Sequence, residues 1–150
     1  MKIKPYTMKK LILILSLIFI ASCSSNDDAG DVRNNQFEDI QTILPQGTWA
    51  VSSYTEGGID ETVNFESFIF TFNEDGTVSA ENDLFAESGT WEYDNVSSED
   101  EKFNLQFNQT TPFDLITENW TIVSTNNTQV SLEVNSGNNG EPETLTFTKL

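Results

Sequence analysis

The chain has 150 residues, one cysteine and no histidine. That is one domain's length, excludes an internal disulfide, and removes the commonest general base and metal ligand at neutral pH. The formal charge is −17, from 24 acids against seven bases, and such a balance repels nucleic acid and anionic lipid headgroups.

Four of the bases, Lys2, Lys4, Lys9 and Lys10, precede an apolar run over residues 11–20. A membrane-spanning helix needs ~20 apolar residues, so this run is near half the length. A basic flank and a short apolar core followed by small residues form the pattern of a secretory signal. Ile20-Ala21-Ser22-Cys23 closes it and resembles the lipobox of bacterial lipoproteins. The resemblance implies a signal peptide over residues 1–22, cleavage before Cys23, and a thioether-linked lipid with palmitate-like acyl chains on that cysteine. It implies a protein anchored by lipid at the outer membrane; two acyl chains already hold a protein firmly. The mature part keeps only Arg33, Lys102 and Lys149 against all 24 acids, a formal charge of −21.

Residues 23–35 read as a flexible acidic tether without periodicity. Its Ser24-Ser25-Asn26-Asp27-Asp28 start is similar to the export signal that carries Bacteroidota lipoproteins to the cell surface. Phe37, Ile40 and Leu44 then share one face of a short helix. Asn35 and Glu38 have the spacing of a reciprocal cap, and Pro45 stops the helix.

From Gly47 onward the period changes to two, as in strands with one buried face. Eight strands are predicted, at about 47–55, 66–73, 76–82, 88–94, 102–108, 118–124, 128–135 and 143–149. Gly57-Gly58 ends the first. Asn73-Glu74-Asp75-Gly76 reads as a tight hairpin with Gly76 left-handed, and Asn126-Asn127 as a two-residue turn using positive φ. Gly137 to Pro142 is a longer loop. Short local connections favour an all-β, up-and-down antiparallel eight-stranded barrel over residues 36–150, which removes the sheet edges; a two-sheet sandwich is the alternative.

Gly47-Thr48-Trp49, the phenylalanine strand with its Asn-Glu-Asp-Gly hairpin, Gly89-Thr90-Trp91 opening the fourth strand, and Trp120 together resemble the lipocalin-like domains of Bacteroidota lipoproteins. The resemblance covers about residues 45–150 and implies a small eight-stranded barrel. True lipocalins place an arginine of the last strand over the Gly-x-Trp tryptophan. Here Lys149 is the only basic candidate for that place, and the Thr-Asp-Tyr motif of true lipocalins is absent.

No catalytic residue and no cofactor are expected. Nucleophilic catalysis lacks a histidine base, and a carboxylate pair among 24 acids is uninformative. No metal site is expected either. Asp27, Asp28 and Asp31 lie on the tether, Asn73 and Asp75 lack the remaining ligands of a calcium loop, and the run Ser97 to Glu101 reads as a solvated loop. The aromatic residues leave two readings open. Trp49, Phe68, Phe70, Phe72, Trp91, Phe103, Phe107 and Trp120 line a pocket for a small apolar ligand, or they fill the interior. In the second case the domain is a structural or protein-interaction module, with a partner the sequence does not name.

Overall fold

The computed structural model describes residues 39–94, 101–108, 110–135 and 141–150. The signal-like segment 1–22, Cys23, the tether 23–35 and the proposed capping residues Asn35 and Glu38 with Phe37 lie outside the described residues. So do Ser97 to Asp100 and Gly137 to Gly140.

The helix α1 (Ile40–Ile43) is a single turn. Its N-cap is Asp39, whose carboxylate accepts a hydrogen bond from Gln41 N at 3.0 Å, satisfying a donor that the first turn leaves unpaired. Pro45 does not end the coil. It sits inside a tighter 3-10 turn, Leu44–Gln46, near whose start its missing N–H costs nothing. Ile40, Ile43 and Leu44 are buried, so this segment closes one end of the domain.

Nine strands follow among the described residues: β1 (Thr48–Glu56), β2 (Ile59–Asp60), β3 (Ile69–Phe72), β4 (Thr77–Glu81), β5 (Ala86–Asp94), β6 (Lys102–Phe107), β7 (Glu118–Asn126), β8 (Gln129–Val134) and β9 (Glu143–Lys149). All pairings are antiparallel. From β3 to β9 each strand pairs with the next, and β1 pairs with both β3 and β9. Eight strands therefore close an up-and-down barrel, as expected, and leave no open edge in the wall. The two-residue β2 escaped the sequence reading. It is an addition to the far end of β1, made by a turn in which Gly57 and Gly58 both have positive φ, 56° and 81°. That is the hairpin geometry only glycine adopts without strain.

The alternation that marks the strands is broken twice. In β1 the buried residues run Trp49, Val51, Tyr54, and in β7 they run Trp120, Ile122, Thr125. Each step of three coincides with a register shift, between Val51 and Ser53 against β9 and between Ile122 and Ser124 against β8. A bulge adds one residue to one strand, so the inward face continues one position late.

The turns obey their chemistry with one correction. Gly76 has φ 82° in the Asn73–Gly76 turn, where Asp75 accepts from Thr77 N and Thr77 Oγ1 at 3.0 and 2.6 Å. Asp75 is thereby held below the usual carboxylate range, first by the Thr77 hydroxyl and then by its backbone N–H. No non-glycine residue among those described has positive φ, so the β7–β8 turn does not use asparagine that way. Asn126 instead accepts from Thr128 N and Thr128 Oγ1 at 2.9 and 3.0 Å, an Asx turn. Gly89-Thr90-Trp91 does not open its strand either. β5 begins at Ala86, and Gly89 stands mid-strand where a Cβ would strike the Gln106 carbonyl of β6.

Candidate functional site

The eight aromatic residues assigned to a pocket all point inward and are all buried. They belong to one core cluster with Phe147, Leu105, Leu132, Leu145 and their neighbours. Phe72 is central. Its ring meets Trp91, Phe103 and Phe147 edge-on, with centroids 5.9, 6.1 and 5.4 Å away. Phe70 meets Phe147 and Phe107 at 5.2 and 6.3 Å. These are the spacings of rings in contact in the favoured T-shaped geometry. The barrel axis is thus occupied by phenylalanine, ring against ring.

Both ends are capped, and the polar tips of the large aromatic side chains hold the caps on. At the first end Trp49 Nε1 donates to Leu44 O at 2.9 Å, tying α1 and its 3-10 turn to β1. The opposite end carries another 3-10 turn, Phe113–Ile116. Trp120 Nε1 donates to Ile116 O at 3.1 Å, and Tyr54 Oη to Leu115 O at 3.0 Å. Phe113 plugs this end, with ring centroids 5.0 Å from both Phe68 and Phe107 and 6.4 Å from Phe65. Neither Phe65 nor Phe113 was identified from the sequence as part of the interior. They lie in irregular connections, where periodicity carries no signal.

Lys149 stands over the start of β1. It is the cross-strand partner of Trp49, and its ammonium lies 5.8 Å from the indole centroid.

Depressions mark the outside among the described residues. One, of about 380 Å³, lies over β5 and β6 near the Asp75–Gly76 turn. Another, of about 520 Å³, is lined by Ser67, Ile69, Glu81, Asn82, Asp83 and Leu84 at the end opposite α1. No group of three or more His, Cys, Asp or Glu among the described residues is placed to hold a metal ion.

No protein-family model matches the chain, and no curated protein matches it. Among solved structures the chain is similar to a DUF4847 family protein from Bacteroides vulgatus ATCC 8482, at 17% identity and a TM-score of 0.50. The match covers 73% of this chain and 96% of that one. The likeness shows the fold. Function has to be argued from the residues.

Proposed function

We propose that the chain is a bacterial lipoprotein, cut before Cys23 and held by lipid at the outer membrane, whose barrel acts as a protein-interaction module. It works by surface recognition, without catalysis and without a carried ligand. The observation that carries this reading is the ring packing along the barrel axis. Phe70, Phe72, Phe103 and Phe147 occupy the volume that a carried apolar molecule would need, and Phe113 occupies the mouth. The lipid anchor is supported by the basic flank, the short apolar run and the position of the sole cysteine. The acidic stretch after Ser24 supports a position facing the cell exterior.

Native mass spectrometry of the protein purified from its own cells tests the filled barrel. The expected mass is acylated polypeptide alone, and fluorescent fatty acids should not bind. A stoichiometric small molecule would restore the carrier reading. Cys23→Ala should release the chain from membranes, and retention would refute lipid anchoring. Protease added to intact cells should digest the wild-type domain if it faces outward.

A further inference from the structure

Among the described residues seven large apolar side chains are exposed, and five of them lie at one end of the barrel. Ile59 and Val63 are in the β1–β3 connection, Ile69 opens β3, and Leu84 and Phe85 form part of the β4–β5 connection. Up-and-down alternation brings these segments to the end opposite α1, where the chain enters the barrel. A closed wall offers no strand edge to a partner, so recognition has to use a face or an end.

The β4–β5 connection is built to hold one leucine in water. Leu84 is 96% exposed, yet its backbone is pinned. Leu84 N and Phe85 N both donate to Asn82 Oδ1, at 2.9 and 2.8 Å. Asn82 N donates to Phe85 O at 2.9 Å, and Asn82 Nδ2 to Ser67 Oγ at 3.1 Å. Phe85 then turns back and stacks on Phe113, with centroids 6.2 Å apart. Exposing a leucine forgoes burial that a partner can recover. The fixed turn means little ordering entropy is lost when it does.

Beside Leu84 lies the depression of about 520 Å³, with Ile69 as its aliphatic wall and the exposed carboxylates of Glu81 and Asp83 on its rim. None of its lining residues is basic. We propose that this end of the barrel docks a polypeptide segment that presents an aliphatic side chain flanked by lysine or arginine. The aliphatic residue packs against Leu84 and Ile69, and the flanking cations meet Glu81 and Asp83. Charge selects this occupant. A second copy would bring the same two acids, in a mature chain of formal charge −21, and an anionic membrane surface is repelled in the same way.

The proposal rests on the interaction-module reading and is tested apart from it. The full mature chain is titrated with a fluorescein-labelled peptide of alternating leucine and lysine, with a leucine–glutamate peptide and phosphatidylglycerol vesicles as controls. Saturable binding of the lysine peptide alone is expected. It should weaken at least tenfold in Leu84→Ser and in Asp83→Lys, both at exposed positions, with circular dichroism unchanged and melting not lowered. Asp83→Asn is the milder second variant and should weaken binding in the same direction. The proposal is overturned by absence of saturable binding, by binding that ignores Leu84→Ser, by equal binding of either control, or by sedimentation showing the chain pairing with itself through this end. Anchoring and barrel contents are read on the wild-type chain by fractionation and mass spectrometry. Failure of the peptide test therefore leaves those results standing, and their failure leaves the peptide test interpretable.

Discussion

Lys149 lies over Trp49 because the chain leaves room for it. A Cβ on Gly47 would sit 2.6 Å from Lys149 Cε. Gly47 has φ 171°, extended backbone that any residue adopts, so space is what the glycine supplies there. Lys149→Met keeps the aliphatic stem and removes the ammonium, and should cost ~0.5–1 kcal/mol in urea unfolding, the scale of a cation–π contact. Gly47→Ala should displace the same ammonium, so the two losses should not add; additive losses would mean the contact contributes nothing. Tyr54 gives a pH prediction. Burial, then the charges of Glu56, Glu143, Glu61 and Glu118, push its phenol above the ordinary 10.0. Burial, then the charge and hydrogen bond of Glu101, push Tyr93 up to about 12. Folding favours the neutral phenol, so this stability is complete below the unfolded pKa. It is lost as pH rises from there through the raised folded value, at up to ~1.4 kcal/mol per pH unit for each tyrosine. In a chain expressed from residue 23, and so without Tyr6, tyrosinate absorbance should stay low past pH ~10 until the chain unfolds. An ordinary midpoint in the folded protein would contradict this. Tyr54→Phe should flatten part of the alkaline loss, and should cost ~1 kcal/mol at neutral pH because Leu115 O loses its donor.

At the scale of elements, Gly89 shows how closely two strands approach. A side chain there would meet the Gln106 carbonyl and the Phe107 ring, at 2.8 Å from its Cδ1, and backbone cannot move aside as the lysine stem can. Gly89→Ala should therefore cost ~1–3 kcal/mol in urea unfolding by overpacking, more than Gly47→Ala. Equal, small effects would show that β5 and β6 separate easily. Much of the barrel was legible in the sequence, for a physical reason. A half-buried strand must alternate, so Phe68-Ile69-Phe70-Thr71-Phe72 and Thr144 to Thr148 announce their faces. The rest fails where alternation fails. Bulges carry Tyr54 and Thr125 inward one residue late, β2 has only two residues, and Phe65 and Phe113 cap an end from irregular turns. All eight residues assigned to a pocket are buried, but whether inward rings line a space or fill it depends on the caps, which have no periodicity. The exposed end was legible only in a fragment. Asn82 two residues before Leu84 is an Asx-turn signal, yet nothing local says that the turn faces Ile69 across the pairing of β3 with β4.

At the scale of the whole molecule the charge is nearly all of one sign. Of the three bases beyond residue 22, Lys149 is engaged with an indole and Lys102 donates to Thr121 Oγ1 at 2.6 Å. The net field is therefore repulsion among carboxylates, which destabilises a compact state while keeping it soluble. Salt screens such charges, since the Debye length falls from ~30 Å at 0.01 M to ~3 Å at 1 M. Sodium chloride should thus raise the melting temperature of a chain expressed from residue 23, by about 4 °C or more if screening recovers about 1 kcal/mol. A flat or falling salt dependence in thermal melts would mean that the acids are already spaced beyond mutual influence. The same field bears on attachment. Residues 23–150, at −21, gain nothing electrostatically from an anionic bilayer, so on the proposed lipid anchor high-salt washing should leave the chain on membranes, and low salt should not recruit the Cys23→Ala chain to them. Release of the lipidated chain by salt would show that ionic contacts, through a basic partner on the membrane, hold the barrel in place of the acyl chains.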